Sequence, residues 1–62
     1  MTFDEAVLRE LNGRIDGLKQ ALFSGGAKDY AEYKYMVGEL RGLSLAVNVT
    51  TDLAANLRDS DD

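Results

Sequence analysis

The sequence of 62 residues contains no cysteine, histidine or proline. Without cysteine the chain can form no disulfide or thiolate metal site. The absence of histidine excludes a histidine base and a histidine-ligated zinc, and it leaves carboxylates alone as ligands for any metal. The absence of proline removes the strongest helix breaker. A chain of this length buries only about 60% of its unfolded surface, so association with another chain is the expected remedy for its small core.

Long hydrophobic runs are also missing. No apolar run approaches the roughly 20 residues that are needed to cross a bilayer. The first residues, MTFDEAV, are too acidic for a secretory signal. We therefore expect a soluble intracellular protein with no membrane partner.

Positive charge is sparse and dispersed. The net charge is −4, and the seven basic residues are spread along the whole chain. A protein that binds the phosphate backbone needs a clustered basic face, so nucleic acid is not an expected partner. The eleven carboxylates are interleaved with the bases rather than arranged in rows, which favours an ordinary solvated surface over mimicry of nucleic acid.

Apolar residues predict a first helix over about residues 2–23. Thr2 and Glu5 have the spacing of a capping box, and Glu10 and Arg14 have the spacing of a favourable ion pair. The apolar stripe recurs at intervals of three and four residues, and it consists of Leu8, Leu11, Ile15, Leu18 and Leu22.

A short break follows at residues 24–28, SGGAK, in which Gly25 or Gly26 can take the left-handed conformation that ends a helix. Asp29 and Glu32 form a second capping box, which predicts a second helix over about residues 29–58. The acidic tail, residues 59–62, is expected to fray. Because the connection is short, residues 1–62 are predicted to form one all-α domain, an antiparallel two-helix hairpin.

One segment of the second helix has low helix propensity. Residues 47–51, VNVTT, contain four β-branched residues and an asparagine. We expect a continuous helix here. The alternative is a kink, or a separate short helix capped by Thr50 or Thr51.

The second helix carries two apolar stripes. The first is the intramolecular seam, in which we expect Leu8 to lie near Leu43 and Val47; its members on this helix are Tyr33, Met36, Leu40, Leu43 and Val47. The second stripe occupies heptad positions where a solvated helix would place charged residues. It consists of Tyr35, Gly38, Gly42, Leu45 and Val49.

The second helix is also predicted to outrun the first, which would leave Leu53, Ala54 and Leu57 without an intramolecular neighbour. Together with the second stripe, Leu53 and Leu57 are therefore predicted to form an intermolecular interface, in the simplest case a two-fold dimer packed as a four-helix bundle. Gly13 and Gly17 repeat the spacing of Gly38 and Gly42. Close approach of another chain and mere local flexibility are both open explanations for these glycines.

No pattern in the sequence indicates catalysis. The segment SGGAKDY lacks the flanking residues of a phosphate-binding loop. The tyrosines of residues 30–35 could stack on bases, but aromatic residues near a turn are more often core or interface. We expect no enzymatic activity, no cofactor and no metal.

The phrase from Tyr33 to Leu43, YKYMVGELRGL, resembles a phrase in very small accessory proteins of short-tailed bacteriophages. In that group it follows a first helix and a loop similar to SGGAKDYAEYK, so the resemblance covers most of the chain. It implies a phage origin and a supporting role in the virion or its assembly, with a location in the host cytoplasm or the virion. It carries no active site.

Two functions therefore compete. The first is a structural or interaction protein that associates with itself and docks on a larger viral or host protein. The second is a small regulator, which would either inhibit a host enzyme or bind RNA. The plasmid RNA-binding protein Rop has the same length and hairpin plan, although no residues match it. The excess of apolar over basic surface favours the first function.

Overall fold

The computed structural model describes residues 1–60 and contains two helices, α1 (Phe3–Phe23) and α2 (Tyr30–Ser60). No strand occurs in these sixty residues. The predicted all-α hairpin is confirmed. Helix α2 continues two residues beyond its expected end, and the remainder of the predicted frayed tail, residues 61 and 62, lies outside the described residues.

Side chains at the predicted positions cap both helices. The Thr2 hydroxyl accepts a hydrogen bond from the Glu5 amide at 3.3 Å and donates one to the Glu5 carboxylate at 2.9 Å. At the start of α2, Asp29 Oδ1 accepts the amide of Glu32 at 2.8 Å. Each cap satisfies an amide that has no partner within its own helix.

Helix α1 ends in a Schellman motif. The amide of Gly26 donates to the carbonyl of Ala21 at 2.7 Å, and the amide of Gly25 donates to the carbonyl of Leu22 at 3.2 Å. Gly25 has a φ of 78°, the left-handed conformation that this motif requires. Of the two glycines that could end the helix, Gly25 is therefore the one in the left-handed conformation.

Helix α2 passes without a break through the segment of low propensity. The hydroxyls of Thr50 and Thr51 donate to the carbonyls of Ala46 and Val47, at 2.8 and 2.9 Å. Since both hydroxyls are bonded within the helix, neither threonine acts as the cap of a separate helix.

The core is very small. Among residues 1–58, whose exposure is described, Ile15 alone is buried, with 7% of its surface accessible. Around it, apolar residues of both helices are half-buried. These are Val7, Leu8, Leu11, Leu18, Ala21 and Leu22 of α1, and Met36, Val37, Leu40, Leu43, Ala46, Val47 and Ala54 of α2.

The two helices form one layer. The molecule measures 51 × 19 × 12 Å, and the shortest dimension is the diameter of a single helix. Its radius of gyration is 14.8 Å, against about 11 Å for a compact domain of this length. Helices usually bury their apolar faces against other elements, and a single pair of helices leaves the outer face of each one uncovered.

Candidate interaction surface

The second apolar stripe of α2 lies on the surface of the hairpin. We call this set the α2 stripe; its members are Tyr35, Gly38, Gly42, Leu45 and Val49, and all five are exposed. Tyr35 has 73% and Leu45 63% of its surface accessible. Such a row of exposed large apolar side chains on one face is typical of an interaction site.

The α2 stripe faces away from α1. At 3.6 residues per turn, its mean direction is about 150° from that of the half-buried residues Met36, Leu40, Leu43 and Val47. The side chains of the stripe therefore make no part of the hairpin core. The charged and polar residues of α2 flank the stripe rather than interrupt it.

The glycines of the stripe are not required by packing within the chain. A Cβ atom placed on Gly38 or Gly42 would meet no other atom within 4 Å, and the same holds for Gly13 and Gly17 of α1. Each glycine costs about 1 kcal/mol relative to alanine inside a helix. The hairpin alone gives no reason for glycine at any of these four positions.

Leu53 and Leu57 lie beyond the stripe, toward the C-terminal end of α2. They line a shallow groove of about 620 Å³ at the open end of the hairpin, together with Phe3, Asp4, Val7, Thr50, Ala54 and Arg58. The expectation that the end of α2 has no intramolecular neighbour is therefore wrong. Each step of four residues turns by about 40° around a helix, which carries Leu53 and Leu57 from the direction of Val49 back toward α1.

Tyr33 does not join the intramolecular seam, where the sequence placed it. It retains 47% of its accessible surface, and its ring stacks on that of Tyr30 at a centroid distance of 6.3 Å. Lys34 Nζ lies 5.9 Å from the centroid of the Tyr30 ring. The three side chains form a small exposed cluster at the turn end of α2.

The two corrections at the ends of α2 share one cause. Val7 lies in the groove with Thr50 and Ala54, about one helical turn beyond Val47, which was expected opposite Leu8. Helix α2 is thus displaced along α1, so its first turn extends past the end of α1 and exposes Tyr33. The same displacement brings its C-terminal turns beside Phe3.

Two ion pairs form among the described residues. Arg14 pairs with Glu10 at 3.2 Å on α1, as their spacing predicts, and Arg58 pairs with Asp4 at 3.2 Å across the open end. The Thr2 hydroxyl lowers the pKa of Asp4 below its ordinary value, and the Arg58 guanidinium adds a smaller effect in the same direction. The Arg58–Asp4 pair could not be predicted from the sequence because it depends on the register of the two helices.

Within residues 1–60, no group of three or more acidic side chains is placed to hold a metal ion. No helix in the same range is long and apolar enough to cross a membrane.

No family model, curated protein or solved structure matches this chain.

Proposed function

We propose that this chain is a non-enzymatic interaction protein whose hairpin associates with a second copy of itself through the α2 stripe. The observation that carries the proposal is the exposed row of apolar residues from Tyr35 to Val49, which no part of the hairpin covers. In the dimer this row is withdrawn from water.

The accessible area of the chain agrees with a missing partner. A compact monomer of 6.8 kDa exposes about 4,000 Å², whereas this chain exposes 4943 Å². The excess of about 900 Å² is close to the roughly 800 Å² that each partner buries in a standard protein–protein interface. One interface of ordinary size would therefore give each chain the exposure of a typical folded domain.

The resemblance to small proteins of short-tailed bacteriophages suggests where such a dimer acts. We propose a supporting role in the virion or its assembly, in which the dimer docks on a larger viral protein. Phe3 and Val7 of α1, which line the groove at the open end, remain outside the contact between the two α2 helices, so the dimer would still present an apolar surface to that protein.

The proposal is tested by sedimentation of the parent and two matched variants at tens of micromolar. Leu45→Glu places a charge on the stripe, and Phe23→Glu places one on an exposed apolar residue of α1. Each new glutamate follows a basic residue by four positions, Arg41 in the first case and Lys19 in the second, so their effects within the helix are matched.

We expect a dimer for the parent and for Phe23→Glu, and a monomer for Leu45→Glu, since removal of a charge from water in an apolar contact is strongly unfavourable. A parent that sediments as a monomer would overturn the proposed self-association. A dimer that withstands Leu45→Glu would show that another surface holds it together.

A further inference from the structure

We propose that the two copies of α2 pack antiparallel in one defined register, with Val49 of the second copy over Gly38 and Leu45 of the second copy over Gly42. This inference rests on the proposed self-association and specifies its geometry. It follows from the order of small and large residues along the α2 stripe.

The α2 stripe is complementary in shape to the same stripe of a second copy that runs in the opposite direction. Two glycines are each followed, seven residues later, by a large apolar residue on the same face, Gly38 by Leu45 and Gly42 by Val49. A two-fold axis perpendicular to the helix, at the level of Leu43 and Ser44, brings both large residues of one copy opposite both glycines of the other. Interfaces fill space best when large and small residues alternate across them.

A parallel pair would not have this complementarity. It would place each residue of the stripe opposite itself, so that Gly38 and Gly42 would meet glycines while Leu45 would meet a leucine. The space beside each pair of glycines would then stay empty, and the van der Waals contacts that could fill it would be lost. The unfilled space outside both glycines is occupied only in the antiparallel register.

The charged residues beside the stripe agree with the same register. It brings Asp52 of the second copy to the level of Lys34 on the same flank of the interface, so that a carboxylate meets an ammonium group. Lys34 and Asp52 are exposed and lie about 27 Å apart along their own helix. They cannot interact with each other within one chain, so recovery by the double charge exchange reports on the interface alone.

The direction of the α2 stripe also fixes how the four helices are arranged. Because the stripe faces away from α1, the two α2 helices meet in the middle and the two α1 helices lie on the outside. The four helices form a row rather than the square bundle that the sequence suggested. The outer faces of α1, with Gly13 and Gly17, take no part in this contact.

The register is tested by exchanging the two charges. Lys34→Glu and Asp52→Lys each place like charges together at two symmetric sites, and we expect each to weaken the dimer about tenfold in Kd. The double variant, Lys34→Glu with Asp52→Lys, should return the Kd to within about twofold of the parent. As a control of equal net charge, Lys19→Glu on α1 combined with Asp52→Lys should give no recovery.

Glycine substitutions provide an independent readout. Gly42→Leu should abolish the dimer because the added side chain occupies the space of Leu45 of the second copy. Gly17→Leu on the outer face of α1 should leave the dimer intact. If the parent is a dimer but the double charge exchange does not restore its Kd, the proposed register is wrong while self-association stands. The same conclusion follows if the dimer tolerates Gly42→Leu. A monomeric parent would overturn both.

Discussion

Arg58 and Asp4 are joined by a 3.2 Å ion pair although 54 residues separate them in the chain. The contact closes the open end of the hairpin and shows that α1 reaches almost to the end of α2. It also places a carboxylate in the first turn of α1 and a guanidinium in the last turns of α2, where each complements the dipole of its own helix.

The stabilisation provided by Asp4 should depend on pH. Its pKa is lowered in the folded chain, chiefly by the Thr2 hydroxyl and less by Arg58. A lowered pKa means that the stabilisation is present above the ordinary pKa of about 4 and is lost as the pH falls through the folded value. We expect Asp4→Asn to lower the Tm near neutral pH and to match the parent at about pH 2. An equal difference in Tm at both pH values would contradict this assignment.

Ile15 should contribute more to stability than any exposed apolar residue of α1. Its replacement by alanine leaves a cavity at the one buried position among residues 1–58, and we expect a loss of about 2–5 kcal/mol in the free energy of unfolding. Phe23→Ala, at a position that is 96% exposed, should change it by less than about 0.5 kcal/mol. Chemical denaturation monitored by circular dichroism measures both, and similar losses in the two variants would show that Ile15 is not the centre of the core.

Replacement by alanine should change the stability of the hairpin in opposite directions at Gly25, in the turn, and at Gly13, inside α1. Gly25 has a φ of 78°, so Gly25→Ala should destabilise the hairpin by about 1–3 kcal/mol. Gly13 lies inside the helix with open space around it, so Gly13→Ala should stabilise it by about 1 kcal/mol. Thermal melts of the two variants should shift in opposite directions, and a shift of the same sign would exclude the left-handed turn at Gly25.

Asp29 should stabilise the start of α2 through its side-chain acceptor. We expect Asp29→Ala to cost about 1 kcal/mol, because the Glu32 amide loses its partner. Asparagine retains an acceptor oxygen at the same place, so Asp29→Asn should preserve most of the stability at pH 7. If both variants lose the same amount, the charge of Asp29 rather than its cap is responsible.

The caps and the turn could be predicted from sequence because they depend on residues three to five positions apart. Thr2, Asp29 and the Gly25–Gly26 pair each act on amides or carbonyls of their own turn, and the structure places all of them as local chemistry requires. The two helices and their antiparallel arrangement follow from these signals and from the apolar periodicity.

The register of the two helices could not be predicted in the same way. A displacement of one turn keeps apolar residues opposite apolar residues, so the pattern alone does not distinguish the alternatives. The observed register exposes Tyr33 and brings Leu53 and Leu57 into one groove with Phe3. The α2 stripe was predictable as a surface because its composition departs from that of a solvated face, whereas its proposed occupant has to be inferred from shape and charge.

The closed turn at one end of the hairpin and the Asp4–Arg58 contact at the other imply that the two helices separate more easily at the chain ends than at the turn. Contacts near the turn are tethered by a connection of a few residues, whereas the Asp4–Arg58 contact joins positions 54 residues apart at the free ends of both helices, where chains fray most readily. Amide hydrogens beside the turn should therefore exchange with solvent more slowly than those of the first turn of α1 and the last turns of α2. The hairpin would open like a zipper, with its two chain ends separating first and the Schellman turn last.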